Sequence, residues 1–167
     1  MQLARVLMKS IVANGGVFNE DHFRDEYVKF MTTPGSHNDT YASSCHRLFF
    51  ANLVHGKRQP KDCPEDDGHN MGGIDGLVLP TIVALAVGAK QNGTPVKAAQ
   101  MATACASVTR KNDLLQKAAR AWGTLVYQSL RPESVDLQTV LEETATELGF
   151  RKPNGVGVDE LTPCYLD

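Results

Sequence analysis

Residues 94–130 read TPVKAAQMATACASVTRKNDLLQKAARAWGTLVYQSL, and two helical periods separated by a single turn account for the whole stretch. Thr94 ahead of Pro95 is a helix start. The hydroxyl oxygen takes an unpaired backbone N–H, and the fixed φ of proline suits the first turn. Apolar side chains then recur at helical spacing, with Val96, Ala99, Met101 and Ala102 on one face. Ala98, Ala99, Ala102, Ala104, Cys105 and Ala106 are small enough to let a neighbouring helix approach closely. A longer helix is expected from about Lys111 to Leu130, with Leu114, Leu115, Ala118, Trp122, Leu125 and Val126 inward.

Upstream, the most apolar run, Leu77 to Ala89 (LVLPTIVALAVGA), predicts a buried helix from about Ile74 to Ala89 in which Pro80 causes a kink or marks a restart after a short turn. Nearer the N-terminus, Leu3, Val6, Leu7 and Ile11 mark one face of a helix that Gly15-Gly16 ends. Asn19 caps a second, whose first turn carries Glu20 and Asp21 and whose buried stripe is Phe23, Tyr27, Phe30 and Met31. Pro34 and Gly35 break it. A third is expected to begin near Ser36 to Asp39 and to run to about Gly56, with Tyr41, Cys45, Leu48 and Phe49 turned inward. The prolines of KRQPKDCPEDDGHN (57–70) predict a loop without regular structure. Downstream, Ser134 caps a helix bearing Leu137, Val140, Leu141 and Leu148, which Gly149 ends. No hairpin signal, β-branched strand run or internal repeat interrupts this pattern. The fold class is all-α, in one domain spanning residues 1–167, because a chain of 167 residues is short for two independent cores.

Seventeen Lys and Arg against nineteen Asp and Glu give a net charge of -2 without a basic block, so neither nucleic acid nor an anionic membrane surface is an expected partner. The apolar run is shorter than the roughly twenty residues of a membrane span. MQLARVLMKSIVANGG (1–16) is amphipathic rather than signal-like. Cys45, Cys63, Cys105 and Cys164 are irregularly spaced, as small core residues are in a reducing compartment, and the expected location is cytoplasmic.

The stretch GSHNDTYASSCHRLFF (35–50) gathers His37, Asn38, Asp39, Cys45, His46 and Arg47. With Cys63 and His69 these offer zinc-ligand types, yet no two ligands stand two residues apart, and Cys45 falls on an apolar stripe. Nothing signals an activated Cys45 thiolate. Ser36 or Asp39 reads as a helix cap, with Asn38 in a turn and His37 exposed. Asn38 and Asp39 are the residues of this stretch to be tested against substrate. A second candidate is DDGHNMGGIDG (66–76), where glycines surround His69, Asn70 and Asp75 just ahead of the buried helix, although the run matches neither established phosphate-loop pattern.

The order of FMTTPGSHNDTYASSCHRLFFANL (30–53), DDGHNMGGIDGLVLPTIVALA (66–86), ASVTRKNDLLQKAARAW (106–122) and TPCYLD (162–167) resembles the central part of the ADP-ribosylglycohydrolase family, in the branch that contains the J-type lens crystallins and selenoprotein J. The resemblance implies an all-helical domain that uses a pair of magnesium ions to cleave the bond between ADP-ribose and an acceptor, since hard dications take oxygen ligands and orient ribose hydroxyls and water. It also implies that His69, Asn70 and Asp75 line the ADP-ribose pocket, and that Ser107 to Arg110 occupies the family's Thr-His position. The family's two acidic metal motifs would lie beyond the two ends of this chain, so no metal role passes to Asp39-Thr40. The main branch carries a Gly-Asn-Gly-Ser type run where GHNMGGIDG stands.

Two readings of function follow. One is an ADP-ribosylglycohydrolase homologue that is inactive as this chain unless flanking segments complete it. The other is a non-catalytic helical protein, crystallin-like or a scaffold. Apolar faces such as Leu3, Val6 and Leu7, stripped of outer helices, would favour self-association.

Overall fold

The computed structural model describes residues 2–37, 41–66, 68, 73–130 and 136–147. Within them the chain is all-α: α1 (Gln2–Ala13), α2 (Glu20–Thr32), α3 (Ser44–Val54), α4 (Val78–Gly88), α5 (Pro95–Ser107), α6 (Asp113–Ser129) and α7 (Leu137–Glu147). Short 3-10 turns cover Pro60–Asp62 and Ile74–Leu77. Among the described residues there is no strand, and no helix is long and apolar enough to cross a membrane.

Helix starts follow local side-chain chemistry. The Asn19 side chain accepts the His22 N–H at 3.0 Å, Thr94 the Lys97 N–H at 3.1 Å, and Asn112 the Leu115 N–H at 2.8 Å. Each satisfies one of the donors a first turn leaves open. α1 ends where Gly15 and Gly16 take positive φ, 64° and 78°, and the Gly16 N–H returns to the Ile11 carbonyl at 2.8 Å. α4 restarts after the Ile74–Leu77 turn, which puts Pro80 in its first turn, where a missing N–H costs little.

The main core joins α1 to α5. Leu7 and Ile11 meet Phe18, Phe23, Tyr27, Phe49, Val83, Cys105 and Val108. Fully burying Leu7, Phe23 and Phe49 stabilises the fold by about 1.5–3 kcal/mol each. A second cluster of Ala84, Val87, Ala98, Val126 and Tyr127 binds α4, α5 and α6. There the small residues matter. A Cβ on Gly123 of α6 would stand 2.7 Å from the Ala102 Cβ and 2.8 Å from the Ala98 carbonyl oxygen, so the α5 and α6 backbones are nearly in contact.

Several expectations require correction. α3 begins at Ser44, not near Ser36 to Asp39, and the Ser36 hydroxyl instead donates to the Phe30 carbonyl and closes α2. Tyr41 precedes the helix and is 73% exposed, its ring facing the Arg47 guanidinium at 5.6 Å, an arrangement a cation favours over an aromatic face. His37 is half-buried against Phe30 rather than exposed. Ala99, Ala102, Leu115 and Val126 are buried as expected, but Val96 and Leu114 are exposed, and Trp122 lies at the margin of the packed face, its indole N–H donating to the Thr81 hydroxyl of α4 at 2.8 Å. Loop 57–70 holds the Pro60–Asp62 turn and a buried Cys63 whose thiol donates to the Gln59 carbonyl at 3.2 Å. Leu7 is fully buried, so the apolar surface of α1 is Met8 and Val12 instead. The start of α7 is capped by Asp136, which accepts from the Gln138 N–H at 3.2 Å. Ser134, Leu148, Gly149 and Cys164 lie outside the described residues.

Candidate functional site

The last turn of α5 carries the chain into a short connection, Val108 to Lys111, before the Asn112 cap of α6. Thr109 and Arg110 are buried there although both are polar. A buried guanidinium requires a partner. Arg110 finds it in Asp75, on the 3-10 turn ahead of α4: Nη1 donates to Oδ1 at 3.2 Å and Nη2 donates to Oδ2. The Arg110 side chain is 7% exposed and that of Asp75 63%. The approach depends on Gly76, where a Cβ would stand 2.7 Å from a Leu115 methyl and 3.3 Å from the Arg110 Nη1.

Beneath the ion pair lies a polar layer in which Tyr27 and Cys45 are buried and Ser43 and His46 half-buried. The Cys45 thiol sits against the same guanidinium, and the Ser43 hydroxyl is 3.1 Å from its sulfur. The neighbouring His46 shares a hydrogen bond of 2.8 Å between its Nδ1 and the Tyr27 hydroxyl. Burial, reinforced by the Arg110 charge and partly offset by Asp75, lowers the His46 pKa to about 4, so the imidazole is neutral at neutral pH. Burial raises Tyr27 above its ordinary range, and its ring packs edge-on against Phe49 at 5.0 Å. The hydrogen bonds from Arg110 hold Asp75 below the usual carboxylate range against the opposing effect of its own partial burial.

Beside the connection, Glu65, Asp66, Lys111, Asn112, Asp113 and Leu114 line an open groove of about 430 Å³. Asn112 donates to Asp66 at 2.7 Å while its other atom caps α6, and Asn52 and Arg58 donate to Glu65 at 2.8 and 3.0 Å. These bonds hold both carboxylates below their usual range, Asn52 and Asn112 making the largest contributions.

Of the residues singled out from sequence, Asp75 stands in this site, joined to the Ser107–Arg110 segment. Asn38, Asp39, His69 and Asn70 lie outside the described residues. Arg110, His46 and Asp66 had been named only as members of longer stretches, and Tyr27 and Asn112 enter the site without having been selected. Asn112 had a local signal as a helix cap, whereas the pairing of Arg110 with Asp75 spans 35 residues and has none.

The architecture is that of an all-α domain with a polar cleft built at the junction of a glycine-rich turn and a helical connection. The ADP-ribosylglycohydrolase family model matches residues 1–164, and the chain belongs to that family. No curated protein and no solved structure matches it. Membership suggests metal dependence and ADP-ribosylated substrates in general. Magnesium requires converging oxygen ligands, and among the described residues no three His, Cys, Asp or Glu side chains come together. Asp75, Glu65 and Asp66 are each engaged by Arg or Asn side chains. The described residues therefore do not fit a magnesium pair.

Proposed function

We propose that this chain supplies the ADP-ribose-facing wall of an ADP-ribosylglycohydrolase cleft and does not by itself cleave the glycosidic bond. One observation carries the reading. Asp75, of the glycine-rich run that the family resemblance assigns to the ADP-ribose pocket, is joined by a two-pronged ion pair to Arg110, of the turn that it matches to the family's Thr-His position. The engagement of Asp75, Glu65 and Asp66 by cationic and amide partners supports the absence of hydrolysis, since a dication needs carboxylate lone pairs of its own. Within the family, the order of sequence motifs supports placement near the J-type crystallins.

Calorimetric titration with ADP-ribose, with and without magnesium, tests the reading alongside an assay of ADP-ribose release from a modified protein. ADP-ribose binding that is indifferent to magnesium, with no release, is expected. Release that requires magnesium would overturn the non-hydrolytic part. A chain that binds neither ligand is the crystallin-like structural protein of the second reading.

A further inference from the structure

We infer that Arg110 is an anion-binding group of the cleft, which a ligand phosphate reaches by displacing Asp75, an internal carboxylate that holds the position until then. The inference rests on the reading of the cleft as an ADP-ribose wall and adds the group that would hold the ligand's diphosphate. A guanidinium fork that grips a carboxylate with two N–H groups presents the geometry a phosphate also takes. The pair is closed at its cationic end and open at its anionic end, with side chains 7% and 63% exposed, so the route from solvent to the fork runs past Asp75. That residue rides on the four-residue turn Ile74–Leu77, in which Ile74 and Asp75 face solvent while Gly76 and Leu77 pack against Leu115. A phosphate brings more charge and more acceptor oxygens than the carboxylate it replaces.

Of the three carboxylates that line the groove, Asp113 stands at the start of α6 and the other two are engaged. Glu65 pairs with Arg58 and Asp66 with Asn112, while Lys111 follows Arg110 directly. Beneath Arg110 the Tyr27–His46 pair is neutral, so no further carboxylate is supplied from that side by those two residues.

The probe is inorganic phosphate against chloride at equal ionic strength, titrated into the whole chain and followed by calorimetry and amide chemical shifts. Asp75→Asn keeps an acceptor for Arg110 but removes the competing charge, and is expected to bind phosphate about tenfold more tightly than wild type. Arg110→Gln is expected to abolish binding. Equal affinity in wild type and Asp75→Asn, or binding that survives Arg110→Gln, overturns the inference. Should Asp75→Asn not fold, the wild-type amides of Asp75 and Gly76 report the same displacement, and an unchanged pair of resonances at millimolar phosphate overturns it. Phosphate binding of this pattern in a protein that ignores ADP-ribose refutes the ADP-ribose reading alone. ADP-ribose binding indifferent to both substitutions refutes only the role of Arg110.

Discussion

The Tyr27 hydroxyl and the His46 Nδ1 meet at 2.8 Å across 19 residues of sequence, tying α2 to α3 beneath the cleft. Tyr27→Phe keeps the ring packing against Phe49 and removes only this bond. Leaving a buried imidazole nitrogen without its partner is expected to cost about 1–3 kcal/mol. Urea denaturation checks it, and an unchanged midpoint would show the bond to be energetically idle.

The depressed pKa of His46 has a signed consequence for acid stability. The folded imidazole resists protonation until about pH 4, whereas the unfolded one takes a proton near its ordinary value of about 6.5. Its contribution is therefore fully present above about pH 6.5, declines as pH falls, and levels off below about 4, for a total of about 3 kcal/mol at most. Asp75, whose pKa is held down, adds its own loss at lower pH. Unfolding free energy measured across this range in wild type and His46→Gln should show the upper slope flattened in the variant. Parallel curves would exclude His46 as the titrating group.

Gly123→Ala is expected to destabilise although alanine is the better helix former. The gain in helix propensity is about 1 kcal/mol, but the new methyl would stand 2.7 Å from the Ala102 Cβ, and overpacking costs about 1–3 kcal/mol. A net loss in thermal melting supports backbone contact between α5 and α6. A higher melting temperature would contradict it.

Asn112 serves two partners at once, the Leu115 N–H of its own helix and Asp66 across the groove. Asn112→Ala is expected to lose about 1 kcal/mol for the cap, and Asn112→Asp to retain the cap while repelling Asp66. Asn112→Asp is therefore expected to be the more stable variant in urea denaturation, with faster amide exchange at Gly68, whose N–H is held by Asp66 at 2.8 Å, in both; equal stability would show that the cap contributes nothing.

Much of the helix pattern was legible in the sequence because caps and terminators act locally. Asn19, Thr94 and Gly15-Gly16 sit where their short-range chemistry puts them. The buried face was legible in part: Ala99, Ala102, Leu115 and Val126 are inside as periodicity predicts, whereas Val96 and Leu114 are exposed, because the centre of the α5–α6 contact depends on how near two backbones come, a property of Ala98, Ala102 and Gly123 together. The start of α3 was placed too early because Ser36 offered a plausible cap, and its hydroxyl is taken by the Phe30 carbonyl. At the site, Asp75 could be singled out from its glycine neighbours. Its partner is selected by the tertiary fold, and no reading of spacing along the chain reports a contact of that kind.

The near-contact of α5 and α6 bears on how this cleft responds when occupied. Two helices clasped through Ala98, Ala102 and Gly123 form a stiff hairpin, with Arg110 mounted at its bend. A mounting of that sort holds its guanidinium still. In the proposed binding mode, adjustment to a ligand accordingly falls to the other jaw, the 3-10 turn Ile74–Leu77 at the foot of α4.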